Sequence, residues 1–301
     1  MNQLVEKIEE LKREKGVAVL AHYYVRDEVQ EIADHVGDSF FLAEMSTKID
    51  EQKILLCGVS FMLESVKILS PDKTVIIPEP SADCPMAHMA SVGDILKMRE
   101  KYSDLAVVCY VNSTAEIKSN SDVCVTSTNA LKIVSALPNK QIYFIPDKNL
   151  GMFVAAQCPD KEFFYSDGHC YVHSELTSGM LLSAKKEHPK AKVLVHPESK
   201  PEIIALADYT GSTSGIIKMA GEFEEDGFII GTESGIMYEL KKHYPGKTFY
   251  SAGKEQVCED MKSITLEKIY DALKNETNTV ELPDEIIKKA KTSLTRMLEM
   301  S

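Results

Sequence analysis

Seven cysteines are spread through the chain, and three of them sit where a thiol has little reason to be packing: Cys84 in SADCPM, Cys170 in DGHCYVH and Cys258 in EQVCEDM. Cys57, Cys109 and Cys124 lie instead inside apolar runs (ILLCGV, AVVCYV, DVCVTS) and read as small buried hydrophobes. The three cysteines in polar settings are separated by 86 and 88 residues. That is far from the CxxC spacing, and one ligand short of the four, that a structural zinc site usually takes. An iron-sulfur cluster accepts thiolates from distant segments, and three of them on four irons would leave one iron open as a Lewis acid. Spacing alone leaves this reading open beside another, three unrelated reduced thiols.

A second set of residues recurs at nearly the same interval. Aligning VAVLAHYY (17–24), LAVVCYVN (105–112) and AKVLVHPE (191–198) superimposes His22, Tyr110 and His196, which are 88 and 86 residues apart. Tyr24, Asn112 and Glu198 then coincide two positions further on, and Asp34, Asp122 and Asp208 each fall 12 residues after the first set. Two imidazoles, two phenols, a carboxylate and an amide are the groups of acid-base and hydrogen-bonding catalysis.

Such residues need a scaffold, and apolar runs alternating with helical patterns indicate an α/β protein with parallel sheets. Each aligned run reads as the first strand of a repeated unit. ILLCGVS, VCVTST and FIIGTES read as second strands, and TVIIPEP, IYFIPDK and KTFYSAG as third strands, each followed by one of the three cysteines. Copies one and three share VGDSFFLA and TGSTSGII, with Ser39 on Thr213; copy two reads as lacking that segment and carrying extra chain between Pro146 and Cys170. The expected units are 1–85, 86–172 and 173–262, followed by a helical tail over 263–301. Its main helix should start at Pro283-Asp284-Glu285 and pack through a stripe of Ile286, Ile287, Ala290, Leu294, Met297 and Leu298. Functional groups of open parallel sheets gather at strand carboxyl ends. Three units around a pseudo-threefold axis would therefore bring both histidines, Tyr24, Tyr110, Asn112, Ser127, Glu198 and the thiols to one central cavity.

Composition narrows the partners. The chain has 301 residues, 44% of them hydrophobic, and 34 Lys+Arg against 46 Asp+Glu give a net charge of −12. An acidic chain with no basic run argues against nucleic-acid and anionic-membrane surfaces. Met1 to Gly16 is a charged helical stretch without an apolar core, and no apolar run approaches the roughly 20 residues that span a membrane. The expected location is cytoplasmic, where an odd number of scattered cysteines would stay reduced.

HYY (22–24), IADHVGDSFFLA (32–43), CPMA (84–87), YVNSTAE (110–116), VTSTNA (125–130), GHCYVH (168–173), VHPE (195–198), TGSTSG (210–215), GTESGI (231–236) and MKSITLEKI (261–269) occur in order. Taken together they make the chain resemble the quinolinate synthase family of NAD biosynthesis over nearly its whole length. The resemblance implies three homologous αβα three-layer domains around a pseudo-threefold axis with the active site at the centre. It also implies one [4Fe-4S] cluster held by Cys84, Cys170 and Cys258, one from each domain. The implied substrates are iminoaspartate and dihydroxyacetone phosphate, condensed to quinolinate with loss of phosphate and two waters, along with a transient contact to the enzyme that supplies iminoaspartate.

Within that reading Ser39, Ser127, Ser212 and Thr213 are hydroxyl donors to carboxylate or phosphate oxygens, although Ser39, Ser127 and Thr213 could also cap helices. His22 and His196 pair with anionic substrate or protonate a leaving oxygen, and Glu198 is the general acid or base near the open iron. Tyr24 and Tyr110 orient or protonate a carbonyl oxygen, and Asn112 fixes the substrate. His173, three residues past Cys170, would at most flank the cluster. Two other classes compete: a non-catalytic iron-sulfur sensor, for which Glu198 would be dispensable, and a metal-free small-molecule binder, which would be colourless.

Overall fold

The computed structural model describes residues 3–301. Met1 and Asn2, the first residues of the expected opening unit and of its charged helix, lie outside the described residues. The rest of that stretch forms a helix over Gln3–Lys15.

Three four-stranded parallel sheets carry the chain. The first contains β1 (Val17–His22), β2 (His35–Gly37), β3 (Lys53–Cys57) and β4 (Thr74–Ile76), in the spatial order β2-β1-β3-β4. The second contains β5 (Leu105–Tyr110), β6 (Val123–Val125), β7 (Gln141–Ile145) and β8 (Glu162–Tyr165), ordered β6-β5-β7-β8. The third, with β9 (Lys192–Val195), β10 (Tyr209–Thr210), β11 (Gly227–Gly231) and β12 (Thr248–Ser251), is ordered β10-β9-β11-β12. The topology is the same three times, so the repeat in the sequence is a repeat in the fold.

The three-layer character follows from alternation along the strands. In the third sheet Val193, Val195 and Ile229 join Leu181 and Ile203 in one core, whereas Leu194, Phe228 and Ile230 join Ile216 and Leu240 in another. Successive side chains point to opposite faces, so each face needs its own helical cover. The first two units share one continuous core, which also takes in Ala290, Leu294 and Met297 of the last helix, Asp284–Met300. That helix runs against Ala115–Ser119, Ser60–Leu69 and β6, which ties units one and two together.

Two expectations need correction. Each unit has four strands, because the short edge strands β2, β6 and β10 precede the strand read as second in copies one and three. VCVTST belongs to β6, the counterpart of β2 and β10, and IYFIPDK to β7, the counterpart of β3 and β11. Copy two therefore keeps the segment it was expected to lack: Ser127 occupies the position of Ser39 and Thr213, at the same intervals of 88 and 86 residues. The chain after Pro146 is a helix, Lys148–Ala155, and the fourth strand β8.

The repeated aspartates prove to be structural. Asp34, Asp122 and Asp208 each accept the main-chain N–H of the first strand, from Val19 (2.8 Å), Val107 (2.7 Å) and Val193 (2.8 Å). Their own N–H groups return a bond to the carbonyls of the same three valines. Lys12, Arg99 and Lys192 neutralise the three carboxylates at 3.0, 3.0 and 3.4 Å. This reciprocal clasp fixes where the edge strand enters, and with it the loop that follows.

Candidate active site

β1, β5 and β9 end at one cavity lined mainly by buried side chains. Its wall includes His22, Tyr24, Ser39, Cys84, Tyr110, Asn112, Ser127, Cys170, His196, Glu198, Thr213 and Cys258. Of the residues expected at the site, only Ser212 lies outside the wall. Its hydroxyl accepts the Gly215 N–H at 3.2 Å and caps the helix Thr213–Glu222.

The three thiols have matching surroundings. Each stands at the N-cap of a short helix: Cys84 before Pro85–His88, Cys170 before Tyr171–Ser174 and Cys258 before Glu259–Lys262. The sulfurs face main-chain N–H groups of Ala87 and Met86, of His173 and of Met261 respectively. Each cysteine's own N–H donates to a carboxylate, Asp83 (2.8 Å), Asp147 (3.1 Å) or Glu233 (3.2 Å). Burial pushes the Cys84 thiol up to about 12 and the Cys258 thiol up to about 11, and raises Cys170 as well. Metal coordination deprotonates such thiols, and N–H groups aimed at the sulfur stabilise the resulting thiolate. The donor set thus suits a soft, thiolate-binding centre reached from three sides.

Beside Cys170 lies a buried acid-base chain. Glu198 is 3% exposed and its Oε2 is 3.1 Å from His173 Nδ1 and 3.2 Å from His196 Nδ1. Burial alone would raise its pKa, but the two imidazoles reverse that and hold the carboxyl well below the usual range. His173 Nδ1 is also 3.2 Å from Cys170 Sγ, and its Nε2 is 2.9 Å from Thr232 Oγ1. Thr232 Oγ1 is 2.9 Å from the Tyr24 hydroxyl, which is 2.8 Å from Thr213 Oγ1. His173, Thr232, Tyr24 and Thr213 thus form one continuous hydrogen-bonded chain. Cys170, His173 and Glu198 form a compact trio that could alternatively hold a single metal ion.

The two repeat-related histidines are oriented alike. His22 Nδ1 accepts the Tyr24 N–H at 3.2 Å, and His196 Nδ1 accepts the Glu198 N–H at 3.4 Å. In the neutral ring the proton then sits on Nε2. For His196 that nitrogen is 3.2 Å from Ser127 Oγ. Burial lowers both histidines, His22 to about 4. A proton arriving at His196 Nδ1 exchanges the amide contact for the Glu198 carboxylate. Two buried acceptors in the wall, Glu198 Oε1 and Asn112 Oδ1, have no partner, which is the state of groups that await a ligand.

The units are locked where the cavity is made. Lys262 donates to the Tyr24 carbonyl at 2.7 Å and pairs with Glu233 at 3.1 Å, joining units one and three behind Cys258. Gly235 admits no Cβ there, since the Tyr23 carbonyl occupies its place. Asn149 of unit two donates to the Glu198 carbonyl at 3.0 Å. Sequence reasoning missed Asp38, Asp147 and Glu233 as site residues and gave His173 only a marginal place. Asp147 and Glu233 lie 86 residues apart, the repeat interval, which is the signal that could have found them.

Fold and cavity together define a class: a three-unit α/β protein that gathers three thiols and a set of acid-base groups in one cavity. Comparison with known proteins gives the family. Residues 6–299 match the family described as Quinolinate synthetase A protein, and the chain belongs to it. It is 48% identical over 298 residues to the quinolinate synthase of Clostridioides difficile strain 630, covering 99% of this chain and 98% of that one. It is 50% identical to the quinolinate synthase of Fusobacterium nucleatum subsp. nucleatum (98% and 99% covered) and 46% identical to quinolinate synthase 2 of Methanosarcina acetivorans (99% and 96%).

Proposed function

We propose that this chain condenses iminoaspartate with dihydroxyacetone phosphate to quinolinate, releasing phosphate and two waters. The observation that carries this is the meeting of three similarly held thiols and the unpartnered Glu198 Oε1 in one buried cavity. Cys84, Cys170 and Cys258 would hold one [4Fe-4S] cluster. A single ion on Cys170, His173 and Glu198 would leave two of the three prepared thiols unused. When bound, the cluster supplies Lewis acidity at its one iron without a protein thiolate.

The protein's own groups account for the rest. Ser39, Ser127 and Thr213 present hydroxyls to carboxylate or phosphate oxygens, with His22 and His196 Nε2–H as further donors. Ser212 acts one step removed, by fixing the start of the helix that carries Thr213. Glu198 takes a proton from substrate carbon or nitrogen and passes it to His173 Nδ1, whose Nε2 proton is the one that moves on to Thr232. Tyr24 returns a proton to a departing oxygen, replenished along Thr232 and His173. Tyr110 and Asn112, at the equivalent strand end of unit two, orient the substrate between these groups. The buried cavity excludes water from a hydrolysable imine, which also favours transient contact with the enzyme that supplies it. Units 1–85, 86–172 and 173–262 each contribute one thiol, with 263–301 as a clamp across the first two. A reducing, cytoplasmic setting suits such thiols.

The test is direct: protein reconstituted anaerobically with iron and sulfide, supplied with both substrates, should form quinolinate detectable by mass spectrometry. Cluster-loaded protein that forms none would overturn the proposal.

A further inference from the structure

The three hydroxyls of the cavity wall occupy one repeat position, and their neighbours meet at a single carboxylate. The corrected repeat aligns Asp38-Ser39-Phe40 with Thr126-Ser127-Thr128 and Ser212-Thr213-Ser214. Asp38 is 7% exposed and caps the helix Ser39–Lys48, with Oδ1 accepting the Phe41 N–H at 3.0 Å. Its other oxygen, Oδ2, accepts the Thr128 hydroxyl of unit two at 2.9 Å and the Ser214 hydroxyl of unit three at 2.6 Å. Thr128 follows Ser127 directly, and Ser214 follows Thr213. One carboxylate of unit one therefore holds the two other loops by the residue next to each wall hydroxyl.

We infer that Asp38 is a positioning residue that assembles Ser39, Ser127 and Thr213 into one cradle for the anionic oxygens of the substrates. This rests on the function proposed above. A carboxylate beside an anion site would ordinarily repel the ligand, but three donors converge on Asp38 and disperse its charge. Because Asp38 takes the protons of Thr128 and Ser214, those hydroxyls are fixed in orientation and their loops cannot rotate independently. Ser39, Ser127 and Thr213, one residue away from these contacts or at the capped helix start itself, are not engaged by Asp38 and face the cavity. Asp38 also contributes an attractive field to His22 and His196, which opposes part of the burial effect on both. Each unit alone offers one hydroxyl, and only the joined loops offer three at a fixed spacing.

The test compares Asp38→Asn and the double variant Thr128→Val/Ser214→Ala with wild type, all as cluster-loaded enzyme. Asp38→Asn retains a helix-capping oxygen but presents an amide where Oδ2 accepted, and the double variant leaves the cap untouched. Both should raise KM for substrate and Kd for quinolinate by about tenfold or more, with iron content and thermal midpoint close to wild type and a smaller change in kcat. Unchanged KM and Kd in the double variant would overturn the inference, as would a parallel loss of iron, which would make Asp38 a support of the shell as a whole. Loaded wild type that makes no quinolinate would instead remove the functional reading beneath it, so the two failures are distinguishable.

Discussion

Glu198 faces two ways: Oε2 is engaged by two imidazoles while Oε1, equally buried, has no partner. A purely structural carboxylate would have both oxygens satisfied. Glu198→Gln should therefore lower kcat by about a hundred- to ten-thousand-fold while iron content stays at the wild-type level, measured as quinolinate formed per loaded cluster. Full activity would remove Glu198 from the chemistry. His22 yields a prediction in pH. It titrates near 6.5 unfolded, and burial, partly offset by Asp38, moves it down to about 4 in the fold. Between those values the unfolded chain holds a proton that the native chain lacks. Stability is therefore full above pH 6.5 and falls as pH drops toward 4, by about 3 kcal/mol at most from this group. Urea midpoints over that window should show a shallower slope in His22→Gln, and identical slopes would contradict the assignment. At this scale the sequence was informative wherever a residue recurred at the repeat interval. His173 has no counterpart with its chemistry in the other units, so its contacts with Glu198 and Thr232 became visible only in three dimensions.

Short edge strands mark the limit of reading at the level of elements. β2, β6 and β10 contain three, three and two residues, too few to show alternation. What places them is the aspartate clasp at their entry, and that pattern was present in the sequence as Asp34, Asp122 and Asp208. The long strands and the last helix were legible because their apolar runs are continuous or periodic. If the clasp sets the edge strands, Asp122→Ala leaves the buried Val107 N–H without its acceptor and Arg99 with only the Asn120 carbonyl. The expected loss is about 1 to 3 kcal/mol, read as a lower urea midpoint at unchanged m-value. A variant as stable as wild type would show that backbone pairing alone suffices.

Across the whole molecule, the helix Asp284–Met300 joins the core shared by the first two units, and the cavity depends on their staying joined. Leu294→Ala should cost about 2 to 5 kcal/mol and lower the thermal midpoint of the whole chain in one transition. A separate early transition would show that unit three folds apart from the other two. The three-unit architecture was legible from self-similarity, whereas the order of strands in copy two was not, because a three-residue strand was matched to a longer one.

The central claim is that three thiols, one from each unit, hold a four-iron cluster beside Glu198. Its most direct test is iron and acid-labile sulfide per chain in anaerobically prepared protein, with Cys84→Ser, Cys170→Ser and Cys258→Ser measured alongside. About four of each per wild-type chain, with a broad brown absorption that every one of the three substitutions diminishes, is the predicted result. Wild-type protein that stays colourless and iron-free after reconstitution, or a substitution that leaves iron and sulfide unchanged, would contradict it.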